Sequence, residues 1–218
     1  ANINEVLLDP NTFSEDGTRA LSMCSPSPHG TYLTWGVSDA GSDWSVWHSK
    51  NLQTGEDLQE VLQDIKNASP SWLPDESGFY YSRYPNSDSD GHLETTDGSE
   101  LWFHKIGTIQ PKDTRIWSDT EHPDRFYGAS VTKDGGWLVV SVNKGTSSNN
   151  ALLIKGPNDT KLRWFLTEFD ASYNLIGGIG NKLWFKTDDG APKGKIVSAT
   201  IEKEQVTWEE VIPEQNNI

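Results

Sequence analysis

A nucleophilic serine in an α/β-hydrolase sits on a sharp strand-to-helix turn, which G-x-S-x-G signals. The sequence holds no such motif. Its nearest stretch, Gly36-Val37-Ser38-Asp39-Ala40-Gly41, is one residue too long and reads as a turn between strands. The five histidines (His29, His48, His92, His104 and His122) are scattered, with no pair at helical ligand spacing and no C-x-x-C. They read as surface or strand histidines. Asn86-Ser87-Asp88-Ser89-Asp90-Gly91 carries the alternating oxygen ligands and glycine of a calcium-loop start. However, Asp97 stands where the bidentate glutamate belongs, and no helical pattern flanks the loop, so a solvated loop over 86–97 is expected, with calcium as the alternative. Asp188-Asp189 precede Gly190, and adjacent acids before a glycine cap turns, whereas a glycosidase needs two separated carboxylates. Trp35, Trp102, Trp137 and Trp184 could line a sugar groove, but they fall inside apolar runs, where core packing is expected. Cys24, the single cysteine, cannot close an internal disulfide and is expected to pack as a small side chain. No catalytic, cofactor or metal residue is assigned.

The elements that must hold these groups come from a repeat. Three segments share a turn, a glycine and an aromatic-rich apolar run: residues 27–35, 74–82 and 133–141. A weaker copy covers 180–186. Glycine or an Asp-Gly pair supplies the positive φ of a tight hairpin, and the runs are its strands. Each copy is followed by a second strand candidate (44–48, 101–105, 151–155, 195–201), a turn, and a closing strand (60–62, 115–117, 164–166, 209–212). Gly30, Gly78, Gly135 and Gly180 recur at spacings of 48, 57 and 45 residues, the period of a four-stranded propeller blade. The polar insertion 85–99 accounts for the long spacing. The stretch 57–66 has apolar residues at helix-like spacing (Leu58, Val61, Leu62, Ile65), but the repeat frame makes it an outer strand and turn. The expected fold is all-β: a β-propeller domain over 1–218 with about four four-stranded blades. Residues 5–9 read as the closing strand of a preceding blade, and the start, without methionine and almost inside a strand, reads as a cut. Four blades must either close on themselves or leave raw blade faces.

Composition narrows the function. Eighteen basic residues against 32 acidic give a net charge of −14 over 218 residues. This argues against a nucleic acid or an anionic membrane surface as partner, since both call for clustered cations. No apolar run reaches membrane-spanning length, and no signal-peptide pattern is visible. The expected location is the cytoplasm, with the periplasm as the alternative.

An ordered series of segments resembles the propeller of prolyl oligopeptidases, in its bacterial branch. The series begins with residues 5–12, Ser14-Glu15-Asp16-Gly17-Thr18 and Ala20-Leu21. It continues through Ser42-Asp43-Trp44 and Phe79-Tyr80-Tyr81-Ser82-Arg83-Tyr84-Pro85. Residues 139–146, 186–194 and 208–214 complete it, so it spans nearly the whole chain. The resemblance implies a serine peptidase that cuts short peptides after proline. It also implies a seven-bladed propeller capping an α/β-hydrolase domain that carries the Ser-Asp-His triad and lies C-terminal to the propeller. That domain is missing from these 218 residues, so the chain is expected to be a partial propeller without catalysis of its own. In the animal branch an arginine near the substrate ends the strand matching 139–142, and an apolar wall residue lies on the stretch matching 65–72. Asn143 and Asn67 stand there in this chain, so no substrate role is carried over. The expected partners are a peptide substrate, by way of the parent enzyme, and the hydrolase domain. The alternative is a stand-alone propeller that binds peptide or carbohydrate.

Overall fold

The structure is a computed structural model that describes residues 6–85, 98–203 and 205–215. Sixteen strands among them form four separate antiparallel sheets, each a meander of consecutive strands. Blade 1 holds β1 (Arg19–Pro26), β2 (Tyr32–Asp39), β3 (Trp44–Asn51) and β4 (Asp57–Lys66). Blade 2 holds β5 (Ser71–Trp72), β6 (Gly78–Arg83), β7 (Glu100–Lys105) and β8 (Thr114–Trp117). Blade 3 holds β9 (Arg125–Val131), β10 (Leu138–Lys144), β11 (Asn150–Lys155) and β12 (Arg163–Leu166). Blade 4 holds β13 (Tyr173–Ile179), β14 (Lys182–Thr187), β15 (Lys195–Glu202) and β16 (Gln205–Ile212). The blades follow the predicted repeat, and the second, third and fourth strands of each fall on the predicted segments. No described helix is long and apolar enough to cross a membrane.

A blade with neighbours on both sides must be apolar on both faces, so its strands lose the usual alternation. Blade 3 shows this. Val139 on β10 and Leu152 and Ile154 on β11 face blade 4, in a core with Leu183, Phe185, Val197 and Ala199. Leu138, Val140 and Val142, with Ala151 and Leu153, face blade 2, in a core with Leu101 and Tyr127. Successive strand residues point to opposite faces, so one run fills two cores. A third core, between blades 1 and 2, joins Trp47, Leu62 and Ile65 to Trp72, Phe79 and Tyr81. Among the described residues, no core cluster, hydrogen bond or ion pair joins blade 1 to blade 4. Their free faces expose Leu21 on β1 and Val211 and Ile212 on β16.

Several expectations need correction. Residues 6–9 form no strand; they lead into a 3-10 turn over Pro10–Thr12. Leu7, Leu8 and Phe13 line a pocket with Trp35, Val37 and His48, so this segment lies over the free face of blade 1. Within 36–41 only Ala40 and Gly41 turn, both at positive φ; residues 36–39 belong to β2. Cys24 is exposed, because it sits on β1, most of whose residues have no cover. Trp35 and Trp137 are buried as expected, but Trp102 and Trp184 are half-buried. Arg83 stacks 4.1 Å above the Trp102 ring, and Lys182 lies 5.9 Å from the centroid of Trp184. In blade 2 the positive φ falls on Glu76 (59°) and not on Gly78. Gly78 serves close packing instead: a Cβ there would lie 2.2 Å from the His104 carbonyl oxygen. The strand over 57–66 holds, and its helix-like spacing has a cause. Glu60 and Leu62 alternate inward, then Asp64 at φ 61° breaks the alternation and turns Ile65 inward as well.

Candidate functional site

The first strand of blade 2 is the short one. Asn67 lies at φ 49° and Pro70 has no N–H, so pairing begins only at Ser71. β5 covers only Phe79 and Tyr80 of β6. Past Tyr80 that edge of β6 has no strand beside it, and a cavity of about 300 Å³ opens there. Lys66, Asn67, Ser82, Tyr84, Ser99, Asp124, Phe126, Tyr127, Gly145 and Thr146 line it, drawn from blades 1, 2 and 3. Tyr84 packs edge-on to Trp44 with ring centroids 5.5 Å apart, and Ser82 Oγ donates to the Tyr127 carbonyl. Ser99 Oγ is buried and makes no hydrogen bond.

Two positions singled out in the sequence lie at this end of the molecule. Asn67 lines the cavity, and Asn143, next to last in β10, lies outside the lining, two residues before Gly145, which belongs to it with Thr146. Among the described residues the Asn143 amide bonds within its own strand: Nδ2 donates to the Ser141 carbonyl and Oδ1 accepts from Ser141 Oγ, both at 3.4 Å. The wall is therefore mixed, with Asn67, Ser82, Ser99 and Thr146 beside Tyr84, Phe126 and Tyr127.

The remaining candidates stay apart. His29 is exposed, His48 is half-buried on β3, and His122 pairs with Asp119 at 2.9 Å in a loop. His92 and the acidic loop 86–97 lie outside the described residues. Asp188 accepts from Ser172 N at 2.7 Å, and Asp189 accepts from the Tyr173 hydroxyl at 3.1 Å, so both carboxylates tie the turn at Gly190 (φ 60°) to the start of β13. No group of three or more His, Cys, Asp and Glu among the described residues is placed to hold a metal ion.

Sequence reasoning missed the buried polar groups at the seams. His104 on β7 is wholly buried between Asp113 (Nδ1 to Oδ1, 2.8 Å) and Glu60 of blade 1 (Nε2 to Oε1, 3.6 Å). Glu76 reaches from the β5–β6 turn into blade 1 and accepts from Ser27 Oγ and from His29 N at 2.6 Å. Burial alone would raise the Glu76 pKa, but bonds from Ser27, Thr31 and His29 outweigh it and hold it at about 2. Between blades 3 and 4, Asn150 imitates a strand: its amide accepts from Tyr173 N (2.7 Å) and donates to Tyr173 O (3.1 Å). Polar residues at apolar strand positions, such as Glu60, His104 and Asn150, were the available signal.

Comparison with known proteins agrees with this architecture. Residues 2–218 match the family described as prolyl oligopeptidase, N-terminal beta-propeller domain. Prolyl endopeptidase of Elizabethkingia meningoseptica is 38% identical over 212 residues, covering 96% of this chain and 30% of the relative. Prolyl oligopeptidase A of Amanita bisporigera is 36% identical over 235 residues, covering 97% of this chain and 31% of the relative. The Elizabethkingia relatives support the expected bacterial-type character. Among solved structures, prolyl oligopeptidase B from Galerina marginata, bound to a 35mer hydrolysis and macrocyclization substrate, superposes with a TM-score of 0.86. That match is at 28% identity over 95% of this chain and 31% of that one. The chain spans about a third of the length of the relatives it matches. It belongs to the prolyl oligopeptidase N-terminal β-propeller family.

Proposed function

We propose that this chain is part of the gating propeller of a serine endopeptidase that cleaves short peptides after proline. The family match over residues 2–218, with relatives named prolyl endopeptidase, carries the reading. The propeller's share of the work is exclusion: blades joined by three packed seams make a stiff wall, so folded protein is kept from the nucleophile and short peptides pass. Peptide bond cleavage itself requires a serine nucleophile, a histidine base and an orienting aspartate, supplied by a hydrolase domain joined to the propeller. His104 is no such base, since it is wholly buried and its partners are Asp113 and Glu60.

Two measurements test this. Reading the gene past codon 218 should show further blades, then G-x-S-x-G followed by an aspartate and a histidine; an immediate stop codon overturns the peptidase role. The chain alone should not cleave a proline-containing chromogenic peptide. Cleavage that a serine-directed inhibitor stops would contradict the division of labour. A stand-alone binding module would need blade 4 to close on blade 1, and no described contact of that kind supports it.

A further inference from the structure

We propose that Glu60, His104 and Asp113 form a proton-operated latch across the seam between blades 1 and 2, closed while the imidazole carries both ring protons and loosened when one is lost. The cluster spans the seam: Glu60 lies on β4, His104 on β7, and Asp113 just before β8. Glu60 Oε2 accepts from Gly107 N at 2.9 Å. Asp113 Oδ2 accepts from the Tyr81 hydroxyl at 2.6 Å, and Gln110 Nε2 donates to that hydroxyl at 3.2 Å. Gln110 also exchanges bonds with the Gln63 backbone of β4, at 3.1 and 3.0 Å. Two atoms in this network have no hydrogen bond, His104 Nε2 and Glu60 Oε1, and they face each other.

That pair makes the proton decisive. With both ring nitrogens protonated, Nδ1–H donates to Asp113 and Nε2–H points at Glu60. A neutral ring has one N–H, so one nitrogen must turn a lone pair toward a buried carboxylate. Water cannot relieve this, because the imidazole is fully buried. The titratable and charged groups facing the ring are Glu60 from β4, Asp113 from the loop before β8, and Tyr81 from β6, with Arg83 felt through Tyr81. Burial and the bond to Asp113 push the Tyr81 pKa up, so it stays a donor. Burial opposes the His104 proton, but the bond to Asp113 and the charges on Asp113 and Glu60 outweigh it and raise the pKa from 6.5 to about 9. The proton's contribution is therefore complete below pH 6.5 and is lost as the pH rises through about 9.

Hydrogen exchange on the intact chain, corrected for the intrinsic pH dependence, tests the latch. Between pH 6.5 and 9.5, protection in β4, β6 and β7 should fall on the order of tenfold or more relative to β10 and β14. His104→Gln should give low protection in β4, independent of pH. Glu60→Gln should move the loss to lower pH, and this arm stands even if His104→Gln does not fold. The His104 ring, followed by NMR, should titrate well above its ordinary range. Equal loss at both seams, no loss at all, or ordinary titration of His104 in the folded chain overturns the proposal.

Discussion

The seam between blades 1 and 2 and the seam between blades 3 and 4 solve one packing problem with different chemistry. The first places an imidazole and two carboxylates beside its aromatic core of Trp47, Phe79 and Tyr81. The second is apolar through its middle, from Val139 and Ile154 to Leu183, Phe185 and Ala199. Its polar links sit around that core: the Asn150 amide on Tyr173, Trp137 Nε1 on the Gly180 carbonyl at 2.6 Å, and Asp134 on Gly180 N at 3.2 Å. An apolar seam contributes by area and is indifferent to protons, whereas an ionic seam depends on keeping every buried charge paired.

The comparison can be broken most forcefully at Phe185. It is wholly buried and packs near Phe165, Tyr173 and Trp208. Phe185→Ala should cost about 3–5 kcal/mol in urea unfolding, equally at pH 6.5 and 9.5. A strong pH dependence of that loss would erase the distinction between the seams. Glu76→Gln sharpens it from the other side. The substitution weakens a charge-assisted clasp and should cost about 1–3 kcal/mol at pH 7. The folded pKa is depressed, so the clasp contributes fully above about pH 4.5 and is lost as the pH falls through about 2. Urea midpoints of the two proteins should therefore converge between pH 4.5 and 2. The smallest effect is expected at Trp137→Phe, which deletes the bond to Gly180 and trims the indole ring atoms packed on Gly156. About 1–2 kcal/mol, without pH dependence, should appear in the same measurement.

The blade count and three strands of each blade were legible because turn glycines and apolar runs recur along the chain. The first strands were not placed. β5 is two residues long, and β1 and β13 are largely exposed or half-buried, so neither length nor apolar pattern marked them. Glu76 hid for a related reason. The repeat placed glycine at the turn, but in blade 2 a glutamate takes the left-handed position, where its carboxylate reaches Ser27 and His29. His104 could be placed on a strand, but not beside Glu60 and Asp113. That meeting depends on how one sheet lies against the next, which spacing within a blade does not encode. The resemblance brought Asn67 and Asn143 forward, but the cavity that Asn67 lines follows from the short β5.

Each sheet is a meander of consecutive strands, and no backbone ladder crosses from one blade to the next. On the ribosome, every backbone ladder of a blade can therefore be complete before the next blade's first strand has been made. The links between blades must wait: the Ser27 hydroxyl proton and the His29 N–H emerge first and meet their acceptor only when Glu76 arrives. The order of synthesis thus separates what builds a blade from what joins two of them.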